Sequence, residues 1–176
     1  LHVVATIVSR AGPERGIVFW PVGVGDSTTV VIDEDTVLQI DLHHLKAADE
    51  DDDPRVPIVD RLVELLPTRD GKPYLAGFAA THLDEDHVLG FAELLDRVTI
   101  GDLWFTPRIF RDVEEDSLCE DGKVFADEAE RRIDAVKEKG KVGSGDRIRI
   151  IGHDELLSEP PYSDLPSESF VIPGEF

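Results

Sequence analysis

Over residues 1–41 short apolar runs rich in β-branched side chains are broken by Gly, Pro and Asp. That pattern predicts strands over 2–8, 17–21, 28–32 and 37–41. The stretch 47–54, Ala-Ala-Asp-Glu-Asp-Asp-Asp-Pro, reads as a solvated acidic loop. Its carboxylates lack the regular ligand alternation and turn glycine of a calcium loop. A helix follows: Pro57 suits its first turn, Val59, Leu62, Val63 and Leu66 recur at spacings of three and four, and Pro67 stops it. The apolar run 74–80 is too short for a helix and reads as a buried strand, delivering the chain to Thr81. Helical spacing resumes over 88–98, and a strand is predicted over 99–106. The order strand, loop, helix, strand indicates a layered α/β domain.

Residues 110–122 read as an irregular polar insertion. An amphipathic helix is predicted over 127–141, with Ala129, Ile133 and Val136 inward, acids early, and Lys137, Lys139 and Lys141 late, which complements the helix dipole. Strands are expected over 147–151 and, after a tail rich in Pro and Ser, over 169–172. The whole reads as one domain, 1–176, with no internal repeat.

The chain holds 176 residues, 41% of them hydrophobic, enough for a substantial core. A formal charge of -20 argues against a general nucleic-acid-binding face, because such a surface repels phosphates. It does not exclude a nuclease whose bound divalent ions receive the phosphate. The single Cys119 forms no internal disulfide, no stretch is apolar enough to cross a membrane, and the amino-terminal residues lack the features of a signal peptide. A cytoplasmic protein is the default expectation. With no Met anywhere, residue 1 is read as distinct from the natural start.

The chemistry concentrates in His82-Leu-Asp-Glu-Asp-His87, two imidazoles and two alternate carboxylates between a buried strand and a helix. Nitrogen and carboxylate oxygen suit borderline and hard divalent ions, and the absence of a nearby thiol argues against a structural zinc knuckle. Helix capping would explain one of Asp84 and Asp86, but neither the flanking histidines nor Gly90. His43 and His44 read as surface loop groups and stay off the ligand set. Val22-Gly-Val-Gly25 is no dinucleotide loop, since Thr28 replaces the third glycine and no helix follows.

Thr81-His-Leu-Asp-Glu-Asp-His-Val-Leu-Gly90 is similar to the metallo-β-lactamase superfamily signature, His-x-His-x-Asp-His followed by a glycine. Upstream, Val22-Gly-Val-Gly-Asp-Ser27 and then Val37-Leu-Gln-Ile-Asp41 resemble the opening of the DNA-uptake, competence-protein branch, where a Gly-Asp turn precedes two strands and the second ends in aspartate. The resemblance implies the amino-terminal part of an αββα sandwich with a two-metal site. His82 and Asp84 would serve one ion, Asp86 and His87 the other, and Asp86 would also orient the attacking water. Asp41 would stand behind the site and orient a ligand or water. His153, after a strand, falls where a third histidine could lie, a ligand that the competence-type branch frequently lacks. Asp84 stands where the commonest signature has histidine, which hardens that site and raises manganese, magnesium or iron relative to zinc.

The implied activity is metal-dependent hydrolysis, of the phosphodiesterase or nuclease class, on a phosphodiester or nucleic-acid substrate. The second half of such a fold supplies a bridging aspartate and a final histidine that this chain does not contain, so the implied partner is a carboxy-terminal fragment of the same protein. Two rivals remain at this point. One is a diiron redox protein of the same fold, suggested by the acidic ligand at position 84. The other is a non-catalytic binding or regulatory half-domain.

Overall fold

The computed structural model describes residues 15–50, 53–110, 118–140, 142–152, 157–158 and 160–171. The strand expected over 2–8, the middle of the 110–122 stretch, His153 and Ile172 lie outside them. All the described strands but the two-residue Leu42–His43 join in one mixed sheet, and with the helices against it the fold is mixed α/β.

The sheet begins as an antiparallel meander of β1 (Gly16–Phe19), β2 (Thr28–Asp33) and β3 (Thr36–Ile40), whose Thr, Val and Ile content suits a pleated, half-buried surface. The Asp33 carboxylate accepts the Asp35 N–H at 3.0 Å and so closes the β2–β3 turn. Past β3 the chain leaves the sheet. The short β4 (Leu42–His43) makes parallel bridges to Val88 and Leu89 instead. β5 (Thr68–Arg69) pairs antiparallel with β6 (Lys72–Ala79) through the Asp70-Gly71 turn. β6, β7 (Thr99–Phe105), β8 (Arg147–Ile151) and β9 (Phe170–Val171) then add in parallel beside β3.

The first three parallel steps, from β3 to β8, use helical crossovers. α1 (Ile58–Leu65) joins β3 to β6, α2 (Glu85–Val88) and α3 (Phe91–Arg97) join β6 to β7, and α4 (Glu120–Lys139) joins β7 to β8. All steps move the same way along the sheet, so right-handed crossovers place the four helices on one face. Accordingly α4 packs on α2, α3 and β8, and α1 on α3. Phe78 of β6, Phe91 of α3 and Phe125 of α4 meet in that layer, with ring centroids 4.9 Å apart for Phe78–Phe91 and for Phe91–Phe125.

The opposite face carries the register partners Ile17, Val30, Leu38, Gly77, Asp102 and Arg147, and beside them Phe19, Thr28, Ile40, Ala79, Trp104 and Arg149. No described helix covers it. Phe19 is 77% exposed, and Ile17 is exposed as well.

Two expectations change. The helix over 88–98 is two helices, because Gly90 adopts φ 94, in the left-handed region that ends one helix and starts the next. The helix over 127–141 starts earlier, at Glu120, which shortens the irregular insertion. Ala129, Ile133 and Val136 face inward as expected, but so do Phe125 and Arg132, the latter only 1% exposed. Arg132 donates to the carbonyls of Ile100 and Gly101 on β7 and of Arg147 on β8, at 3.0 to 3.1 Å, and to Glu128 at 2.6 Å. A helix position that reads as polar surface is therefore the bolt between α4 and the sheet. Burial works against the Glu128 anion, but hydrogen bonds from Arg131 and Arg132 outweigh it and hold that carboxyl below its ordinary value.

Candidate metal centre

The parallel strands β3 and β6 end side by side, and the loops leaving their carboxyl ends form the site, as is usual in open α/β sheets. Asp41 is the first residue beyond β3. It takes φ 51, unusual for a residue with a side chain, and the turn brings its carboxylate under the next loop. One oxygen accepts the Thr81 N–H at 2.8 Å, and the other accepts Thr81 Oγ1 at 2.7 Å and lies 3.0 Å from His87 Nδ1. Gln39 supports the turn by donating from Nε2 to the Asp41 carbonyl at 2.6 Å.

With Asp41 only 3% exposed, its hydrogen bond to His87 Nδ1 is shielded from water. A proton on Nδ1 leaves the lone pair on Nε2, the arrangement by which a carboxylate orients a metal-binding imidazole. His87 Nε2 lies 3.6 Å from the Asp86 carboxylate, and the His82 ring stacks at a tilt on the His87 ring, centroids 3.6 Å apart. His82, Asp86 and His87 each offer one ligand atom, all within 4.8 Å of one another. Two nitrogens and a carboxylate oxygen with no thiol are a donor set that fits zinc, manganese or iron.

Asp84 stands apart from that trio. It occupies the position before α2, its side chain is 78% exposed, and its carboxylate lies 3.5 Å from His82 Nε2. Its side chain meets the trio at His82, and its backbone carbonyl accepts the His87 N–H at 2.9 Å. His153 falls outside the described residues.

Two groups were not foreseen. His44, read from sequence as a surface group, is buried, with Nε2 3.3 Å from Asp49 and 3.6 Å from Glu93. The physical reason is the β4 ladder: the His44 N–H donates to the Leu89 carbonyl at 2.8 Å, which pulls the segment under α3. Asp26 is the other. Asp26, Asp41 and His87 likewise bring one ligand atom each within 4.8 Å of one another. The Gly-Asp turn was visible in the sequence, but a contact across some sixty positions has no local periodicity to reveal it.

Comparison of the chain with family models, curated proteins and solved structures finds no match.

Proposed function

We propose that this chain carries the metal centre of a metal-dependent hydrolase acting on phosphodiesters, built on the amino-terminal part of a metallo-β-lactamase-like αββα sandwich. The observation that carries the reading is the convergence of His82, Asp86 and His87, with His87 oriented from behind by buried Asp41. A divalent ion held by His82, Asp86 and His87 would supply Lewis acidity for activating water and polarising a phosphoryl group. Asp86 orients the attacking water, Asp41 fixes the His87 tautomer, and Thr81 fixes Asp41. His82, half exposed, forms the open rim toward substrate.

The sequence signature supports the choice of superfamily, and the single helical layer on a mixed sheet is consistent with half of such a sandwich. The apolar face that no described helix covers supports a further reading, that a carboxy-terminal, sheet-bearing fragment of the same protein packs there and completes the site. The test is titration of the chain with Mn2+ and Zn2+ by calorimetry, followed by hydrolysis of bis(p-nitrophenyl) phosphate. Metal binding that is lost in His82→Ala is the expected result. Equal binding by that variant would overturn the assignment.

A further inference from the structure

We propose that Asp26 is an additional carboxylate ligand of this centre, delivered by the turn between β1 and β2; the proposal rests on the metal-site reading above and names a residue that reading does not use. Three observations converge on it.

The turn is docked on the metal loop through its backbone. The Asp26 N–H donates to the Asp86 carbonyl at 3.1 Å. Gly25 has φ 102, and a Cβ there would lie 2.4 Å from the Asp86 carbonyl oxygen and 2.2 Å from His43 Nδ1, so only glycine permits the approach. The turn is also anchored from below. Buried Gln39 donates to Ser27 Oγ at 2.9 Å and to the Asp41 carbonyl, coupling the end of the turn to the end of β3.

The docked turn places the Asp26 carboxylate within 4.8 Å of a ligand atom of both Asp41 and His87. Two carboxylates that close repel, the more so because Asp41 is buried and poorly screened. Among the described residues no lysine or arginine forms an ion pair with either, and His87 Nδ1 lies 3.0 Å from the Asp41 carboxylate. A divalent cation on His87 removes that repulsion and turns the exposed Asp26 into a ligand. The Gly-Asp turn thereby becomes the second wall of the centre.

The probe is Mn2+ alone, followed by electron paramagnetic resonance on the chain of residues 1–176. Asp26→Asn keeps the backbone hydrogen bond and the side-chain size, and it should weaken Mn2+ binding about 10- to 100-fold. Asp35→Asn removes the same charge from the exposed β2–β3 turn and should stay within about twofold, separating ligation from bulk charge. If the wild type binds no Mn2+, the metal reading fails and this proposal with it. If the wild type binds and Asp26→Asn binds equally well, only the Asp26 assignment falls. Should Asp26→Asn melt early, Asp26→Glu decides: it keeps the charge but moves the oxygens by one methylene. A several-fold loss of affinity at unchanged melting temperature supports ligation, and unchanged affinity overturns it.

Discussion

Asp41 accepts hydrogen bonds on both carboxylate oxygens while buried, and an amide in its place offers only one acceptor atom. Asp41→Asn should therefore turn an N–H2 group toward either Thr81 or His87, destabilise the fold by about 1–3 kcal/mol and weaken Mn2+ binding. Paired thermal melts and Mn2+ titrations check both effects, and a variant with wild-type affinity would show that His87 needs no orienting partner. The same residue-level reasoning separates the two histidines. His87 is 9% exposed and bonded to Asp41, so His87→Ala should lower stability as well as metal affinity, whereas half-exposed His82→Ala should lower affinity alone. Glu128 supplies a pH test at a site remote from the candidate centre. Its folded-state carboxyl is held below the ordinary value near 4.5, so its contribution is present above that value and is lost as the pH falls through the folded-state value. The melting-temperature difference between wild type and Glu128→Gln should be largest near neutrality and shrink as the pH falls below 4.5. A difference that grows in acid would contradict the sign.

At the scale of elements, the junction between α2 and α3 decides how the loop carrying His82, Asp86 and His87 is held. Gly90 has φ 94, and a Cβ there would lie 2.7 Å from the Cβ of His44; its N–H and that of Ala92 donate to the two oxygens of Asp121 on α4. Gly90→Ala combines left-handed strain with a clash against a buried residue and should destabilise by about 1–3 kcal/mol or more. Urea unfolding measures the loss, and wild-type stability would mean that the junction relaxes freely. This junction also marks how far the sequence could be read. The β-branched runs of β2 and β3, the spacing of Val59 and Leu62 in α1, and the apolar run of β6 were legible because each element's burial follows from its own period. The split at Gly90 was hidden because both halves keep an apolar face across the break. The cap on α3 comes from Asp121, thirty-one positions away from Gly90. In the candidate site the cluster His82, Asp86 and His87 was legible as a local concentration of donors. Asp26 and the burial of His44 were not, since both depend on where β4 and the β1–β2 turn come to rest.

At the scale of the whole molecule, the helices and the charge leave the two faces of the sheet unlike each other. One face is packed by α1 to α4; the other presents Ile17, Phe19, Val30, Leu38 and Ile40 beside the Arg147–Asp102–Arg149 cluster. Among the described residues β1 is also the terminal strand of the sheet, so its exposed Ile17 and Phe19 sit on an unpaired edge. A contiguous apolar face next to a free edge is what a packing partner covers, and scattered surface leucines do not produce it. A net charge of -20 opposes association of like chains at long range, yet salt screens it at separations beyond about 8–10 Å. Contact between two such faces then depends on apolar area. The isolated chain should accordingly bind a hydrophobic dye such as ANS, and its sedimentation coefficient should rise with concentration, more steeply at high salt than at low. Ile17→Thr with Phe19→Lys should reduce dye binding and self-association together. Because both side chains are already exposed, it should shift stability by no more than about 0.5 kcal/mol. A wild-type chain that stays monomeric at high salt and binds no dye has no unsatisfied face, and the proposal of a sheet-bearing complement falls with it.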